Sequence, residues 1–160
     1  MHPYHMNRQD RQIHDPGELQ RLLQNGKYAA IAMCRNNEPY IVTLSYGYDP
    51  AGHVLYFHTA RKGLKLDFLR DNPSVCATIV EDRGYQTGQC AHSYSSLVLW
   101  GNLTILEDLD EKKRALDTLF HQLETDPEPI RRRNIPSDRA YDACAWLRLD
   151  IRHISGKSGQ

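Results

Sequence analysis

Apolar and polar residues along this chain fall into short runs whose period switches at a few marked places. Leu19, Leu22 and Leu23 recur at helical spacing. Asp15 stands ahead of them as an N-cap, Pro16 suits the first helical position, and Glu18 follows three residues after Asp15. With Gly26 as the stop, these residues predict a short amphipathic helix. Tyr28 to Cys34 is an apolar run ending at an Asn36-Asn37 turn, and Pro39 to Tyr46 is β-branched and aromatic. Asp49-Pro50-Ala51-Gly52 reads as a turn, with Pro presetting φ and Gly tolerating a positive φ. His53 to Thr59 is a third strand, so the three strands predict an antiparallel meander.

Gly63 to Asn72 reads as a short helix closed by Asn72-Pro73. Val75 to Val80 is a fourth strand, and residues 81–93 form a polar loop with two glycines. Tyr94 to Leu106 is a long strand interrupted at Gly101, which predicts a bulge or barrel bend. Leu109 to Thr125 carries Leu116, Leu119, Phe120 and Leu123 on one stripe and predicts the best helix. Residues 126–139, with three prolines around Arg131-Arg132-Arg133, predict a loop or broken helix, with Asp126 and Glu128 as ion-pair partners. Ala145, Leu147, Leu149 and Ile151 alternate with Trp146, Arg148, Asp150 and Arg152 in a last half-buried strand. The fold class is therefore mainly β (α+β): about six antiparallel strands with flanking helices, closed into a small barrel that removes exposed edges. A loosely held arm over residues 1–14 precedes one domain over residues 15–157.

Composition narrows the function classes. A chain of 160 residues fits one domain, and it should bury roughly 70% of its unfolded surface without disulfides or a structural metal. Lys plus Arg and Asp plus Glu each total 20, so no basic excess points to nucleic acid or an anionic membrane. No apolar run approaches the ~20 residues of a bilayer span. The start, Met1-His2-Pro3-Tyr4-His5, lacks the apolar stretch of a signal peptide, so the expected compartment is the cytoplasm. Cys34, Cys76, Cys90 and Cys144 form no CxxC clip. The first two and Cys144 sit among apolar residues and are expected to be buried. His2, His5 and His14 could catch a metal, but terminal arms seldom hold fixed geometry, and no metal site is predicted.

Candidate chemistry concentrates at Tyr56-Phe57-His58-Thr59-Ala60-Arg61-Lys62-Gly63-Leu64-Lys65. A strand delivers His58 and Thr59 to its end, a basic loop follows, and a helix opens near Gly63. Helix starts present unpaired N–H groups and partial positive charge, and Arg61, Lys62 and Lys65 add full charges. Two readings stand: a phosphate cradle, or a solvated basic turn. Ser93-Tyr94-Ser95-Ser96 is a hydroxyl cluster opening an apolar strand, suited to the heteroatoms of a planar cofactor or to a plain strand start. Thr43 and Ser45, on one strand face, raise the same question. His58 is either a structural residue or an acid–base group, since imidazole titrates near neutral pH. No dinucleotide, P-loop, zinc-protease or nucleophile-elbow motif occurs.

These stretches resemble the pyridoxamine 5′-phosphate oxidase-like split β-barrel flavoproteins, in particular their nitroimidazole-resistance branch. The resemblance runs from about Arg11 to Lys157. It is carried by Pro39 to Tyr46, by Leu55 to Ala60 with Lys62-Gly63 and Lys65, by Leu69-Arg70-Asp71, by Tyr94 to Gly101, and by Ile154-Ser155-Gly156-Lys157. It implies a homodimer with FMN in two clefts between subunits. It implies the FMN phosphate near His58, Thr59, Gly63, Leu64 and Lys65, with Val42, Thr43 and Leu44 along the flavin and Tyr94, Ser95 and Ser96 at its edge. It makes His58 the leading catalytic candidate, with Trp100 or Trp146 as wall residues. Relatives commonly carry proline where Thr43 stands and arginine where Ser95 stands. The implied activity is that of an FMN-dependent oxidoreductase, a nitroreductase or flavin reductase using NAD(P)H on a small-molecule acceptor. The alternative is a split barrel that carries FMN, a deazaflavin or haem without turnover.

Overall fold

The computed structural model describes residues 6–159. A 3-10 turn at Gln9–Arg11 leads into the short strand β1 (Gln12–Ile13) and helix α1 (Pro16–Asn25). Strands β2 (Tyr28–Arg35), β3 (Glu38–Ser45), β4 (Gly47–Asp49) and β5 (Val54–Ala60) follow, then α2 (Leu64–Asp71), β6 (Ser74–Gln86) and β7 (Ala91–Ile105). Helices α3 (Leu109–Leu123) and α4 (Glu128–Asn134), a 3-10 segment at Asp138–Ala143 and the long strand β8 (Cys144–Gly159) complete it.

The hydrogen-bonded order is β3-β2-β6-β7-β8-β5-β4, all antiparallel, with β1 added to the far half of β8. β3 and β4 stand at opposite ends of that order, yet only Tyr46 separates them in sequence. Both facts hold only if the sheet curls until its ends meet, and β3 does lie against β5. No ladder joins β3 to β5, so the barrel is split along that seam.

Several local features follow the chain's chemistry as expected. Asp15 caps α1, its Oδ1 accepting from Gly17 N at 2.9 Å. Asn36 and Asn37 both adopt positive φ and close the β2–β3 hairpin, the conformation of a primed two-residue turn. At the Asp49–Gly52 turn, Asp49 Oδ1 accepts from Ala51 N and Gly52 N, while the positive φ falls on His53 rather than on Gly52. Gly101 is the predicted bulge: the β7–β8 register slips between Trp100 and Gly101. A Cβ on Gly101 would stand 2.0 Å from Asp150 O, so only glycine lets β8 pass this closely. Arg131 takes Glu128 as an ion-pair partner at 3.4 Å and Asp117 at 2.5 Å, on the broken-helix side of the expectation.

Other expectations need correction. The sheet has eight strands, not about six. The polar loop over 81–93 is mostly strand, because β6 and β7 pair out to Gln86 and Ala91. That hairpin arm projects with exposed residues on both faces, so it carries no burial alternation. The last strand runs on to Gly159 because β7 and β1 both pair with its far half. Gln12 and Ile13, read as part of the arm, pair with Lys157 and Gly156. Cys34 is exposed, and Cys76 and Cys144 are half-buried, since all three sit at outward positions of their strands.

Two apolar cores result. The barrel interior holds Ile31, Tyr46, Leu55, Phe57, Leu97, Leu99 and Leu147, with Leu22 and Leu23 of α1 and Phe68 of α2 at its ends. Tyr46 donates its hydroxyl proton to Leu23 O at 2.7 Å, and desolvation raises its pKa. A second core lies outside the barrel, where α3 covers Val54, Tyr56 and Trp146 with Ala115, Leu116 and Leu119. Each such leucine contributes roughly 1.5–3 kcal/mol of burial. Among the described residues no helix covers the outer face of β3, β2, β6 and β7 in the same way. Tyr28, Ile41 and Val80 remain 58%, 65% and 51% exposed there. No helix among the described residues is long and apolar enough to cross a membrane.

Candidate functional site

The split seam gathers most of the predicted residues. The β4–β5 register pairs Gly47 with Tyr56. Continued back through Tyr46, it puts Ser45 level with His58 and Thr43 level with Ala60. Burial agrees: Ser45, His58, Thr43 and Ala60 are exposed, while Tyr46 packs on Phe57 with ring centroids 6.3 Å apart. Thr43, Ser45 and His58 therefore share the outer face at the seam. Val42 and Leu44 face the other way and pack against the barrel core, and Thr59 is buried.

His58 stands at the edge of the outer core. Its ring lies over Trp146, centroids 5.8 Å apart, and Trp146 Nε1 donates to Tyr141 O at 2.8 Å, which fixes the indole. His58 keeps an exposed edge, yet the protein packed around it desolvates the ring and lowers its pKa. The imidazole is therefore neutral at physiological pH and able to accept a proton.

Beyond β5 the chain turns through Arg61, Lys62 and Gly63 into α2. Gly63 caps the helix at φ 140°, a conformation suited to glycine, and nothing lies within 4 Å of where its Cβ would be. That leaves open space beside the backbone N–H groups at the start of the helix. Among the described residues, Arg61, Lys62 and Lys65 form no ion pair, while Arg70 and Lys112 nearby are each engaged by a carboxylate. Leu64 is 47% exposed and Lys65 half-buried beside them. An isolated positive field beside exposed helix N–H groups fits a phosphate, and Asp67 of the same turn is engaged by Arg70 at 3.0 Å.

Tyr94, Ser95 and Ser96 lie elsewhere. Cross-strand pairing makes one outward row of Ser45, Tyr28, Val80, Ser96 and Lys157. His58 to Ser96 is thus four strand steps, roughly 19 Å along the curved sheet at about 4.8 Å per step. One chain does not bring the two sets together. Tyr94 and Ser96 face outward, whereas Ser95 points to the barrel end and is 2% exposed. Ser95 Oγ accepts from Arg83 Nη1 at 2.9 Å and donates to Ser158 Oγ at 3.3 Å.

Sequence reasoning missed the network behind Ser95. Arg21 of α1 binds Glu18 and Glu81, each at 2.8 Å, and Arg83 binds Glu81 at 2.8 Å. Arg21 holds both carboxyls below the usual carboxylate range. Arg21 and Glu81 lie sixty residues apart, so no local motif marks the pair. The Ser155 hydroxyl is buried without a hydrogen-bond partner. Trp100 lies on the outer face beside His153, centroids 5.3 Å apart. Among the described residues no group of three or more His, Cys, Asp or Glu is placed to hold a metal; His2 and His5 lie outside those residues.

Solved structures share this fold. A candidate 5-nitroimidazole antibiotic resistance protein from Bacteroides thetaiotaomicron superposes with a TM-score of 0.75 at 23% identity, over 92% of this chain and 86% of that one. The flavocytochrome Anf3 of Azotobacter vinelandii gives 0.80 at 18% identity, over 97% and 72%. An FAD- and haem-binding protein of Mycobacterium smegmatis gives 0.74 at 20% identity, over 94% and 74%. An uncharacterized Rhizobium meliloti protein is 38% identical over 64 residues, so the match spans 40% of this chain and 40% of that protein. The model of the pyridoxamine 5′-phosphate oxidase family matches residues 15–158, nearly the whole of the barrel just described, and the chain belongs to that family.

Proposed function

We propose that this protein is an FMN-dependent oxidoreductase that works as a homodimer, taking electrons from NAD(P)H and passing them to a small acceptor such as a nitro compound or quinone. The observation that carries the reading is the cradle: three cations within five residues that pair with no carboxylate among the described residues, at a helix start whose glycine leaves the backbone open. Flavin-binding neighbours of the same fold support it. Bound FMN would supply the acceptance and delivery of hydride. The chain's own groups do the rest. Lys65, Arg61 and the α2 N–H groups hold phosphate, Thr43 and Ser45 offer hydroxyls along the seam, and neutral His58 takes up or returns a proton through a ring nitrogen.

The layout is what supports the dimer. The cradle and the Tyr94–Ser96 set sit on one uncovered face, four strands apart. A two-fold copy laid on that face buries Tyr28, Ile41 and Val80 and brings one protomer's cradle toward its partner's β7. A second reading, a haem carrier without turnover, draws on the haem-binding neighbours and on His58, whose neutral ring nitrogen would bind the haem iron.

One experiment separates the readings. The purified protein is loaded with FMN or with haem, mixed anaerobically with NADH or NADPH, and followed by its visible spectrum. Bleaching of bound flavin and reoxidation by a nitroaromatic or quinone is the expected result. Tight haem binding with no nicotinamide oxidation by the flavin-loaded protein would overturn the enzymatic reading.

A further inference from the structure

A cavity of about 430 Å³ opens on the α3 side of the barrel, where none of the cradle or seam residues lines it. Its walls are Gln24 of α1, Tyr48, Asp49 and Pro50 of β4 and its turn, and Asp117 and His121 of α3. The walls are fixed to one another. A Cβ on Gly47 would stand 2.5 Å from Leu119 N, so β4 and α3 meet backbone to backbone. Gln122, also in the lining, ties all three elements: its Oε1 accepts from Tyr48 N at 2.7 Å, and its Nε2 donates to Leu23 O at 3.0 Å and Gly26 O at 2.6 Å.

The groups left over accept rather than donate. Thr118 spends its hydroxyl proton on Arg114 O, and the Tyr48 hydroxyl lies 3.2 Å from His53 Nδ1. Asp49 Oδ1 accepts from Ala51 N and Gly52 N. Its Oδ2 takes no hydrogen bond, and its charge no ion pair, among the described residues. Burial, and after it the Asp49 charge, raises the Tyr48 pKa, so that charge is felt at the cavity wall. Asp117 Oδ1 accepts from Arg131 Nη2 at 2.5 Å, which leaves its second oxygen. The His121 ring and the Gln24 amide make no hydrogen bond among the described residues. No lysine or arginine among those residues lines the cavity. Of the cations just outside it, Lys27 is held on Gln122 O at 2.7 Å and Arg131 on Asp117.

Two carboxylates and an imidazole therefore face one cavity, yet they are not gathered around a point: no three such groups among the described residues are placed to hold a metal. A ligand that meets both carboxylates must be longer than an ion and cationic at each end. Tyr48 and Pro50 supply apolar surface for the chain that joins those ends, and the volume falls within the ~300–1,000 Å³ of small-molecule sites. We propose that this cavity binds an aliphatic diamine, one ammonium at Asp49 and the other at Asp117, with its methylene chain against Tyr48 and Pro50. The binding stands without flavin and without a second copy of the chain.

The test is calorimetric titration of 1,4-diaminobutane into the flavin-free and FMN-loaded protein, with 1-aminobutane, 1,4-butanediol and magnesium in parallel. Salt at about 0.15 M screens charges more than about 8 Å from the ligand. The diamine is expected to bind at least tenfold more tightly than the monoamine or magnesium, with the diol silent, and equally in both forms of the protein. Asp49→Asn keeps the carbonyl that Ala51 N and Gly52 N need, and it should weaken the diamine at least tenfold with circular dichroism unchanged. Asp117→Asn, at a carboxylate shared with Arg131, should weaken it at least threefold. In the unmutated protein the diamine should also shift the His121 ring signals in NMR, assigned by their loss in His121→Gln. Diol or magnesium matching the diamine, a monoamine of equal affinity, folded variants of full affinity, His121 signals unmoved at saturation, or binding only when FMN is present would each overturn the proposal. None of these outcomes touches FMN binding at the cradle, so the two readings fall separately.

Discussion

If the α2 start holds a phosphate, neutralising Lys65 must weaken FMN and spare riboflavin, which lacks the phosphate. Lys65 is half-buried and pairs with no carboxylate among the described residues, so its charge is neither spent on a neighbour there nor fully screened. A unit charge about 4 Å from one phosphate charge gains roughly 1 kcal/mol in bulk water and about 4 at an effective dielectric near 20. A charge-assisted hydrogen bond gives about 1.5–3 kcal/mol by an independent route. Lys65→Gln keeps most of the side chain's volume and a donor, so a loss of about 1.4–2.8 kcal/mol is expected, or 10- to 100-fold in Kd. Arg61→Gln and Lys62→Gln act at exposed positions and should each cost less than Lys65→Gln, with a stronger dependence on salt. The assay is quenching of flavin fluorescence by the flavin-free protein, with FMN and riboflavin in parallel at low and high salt. Equal losses for both flavins, or no loss for either, would refute the cradle.

Two further outcomes follow from the same geometry. On the uncovered outer face, Ile41→Asp and Val80→Asp place charges where a second copy would need to bury about 800 Å² per partner. Light scattering should report a dimer for the unmutated protein and a folded monomer for the variants, and a monomer in both, with and without FMN, would sink the dimer. Burial lowers the His58 pKa in the folded chain below its ordinary 6.5, so below about that pH the unfolded chain binds the extra proton first. His58 therefore costs stability as pH falls through 6.5, an effect that levels off below the folded pKa. His58→Gln should gain stability relative to the unmutated protein from pH 7 down to pH 5, and parallel melting curves across that range would contradict the desolvated ring.

Much of the barrel is legible in the chain because it rests on local chemistry. Asp15, the Asn36-Asn37 turn and Gly101 each act within a few residues, and each stands where the pattern puts it. The legibility fails where burial stops alternating. Residues 83–85 are exposed although they belong to a strand, so their polar run looks like a loop. Ser155 and Gly156 are both buried in succession because β8 passes between β7 and β1, so period two disappears there too. The outward positions of Cys34 and Cys76 are likewise invisible to a reading that equates apolar neighbours with burial.

The site divides along the same line. The run from His58 to Lys65 is contiguous, so one stretch of sequence displays the strand end, the basic turn and the helix start together. Arg83 is different: it reaches Ser95 across twelve residues and Ser158 across seventy-five, and only the β6–β7–β8 register makes them neighbours. Arg83 thus brings a guanidinium to the buried Ser95, the position at which the family resemblance leads one to expect arginine. The positive charge is supplied from the adjacent strand. Arg83 stands where the β6–β7 register shifts, between Asp82 and Tyr85, and its guanidinium reaches Ser95 Oγ at 2.9 Å. The guanidinium at this barrel end thus comes from β6, one strand away from Ser95.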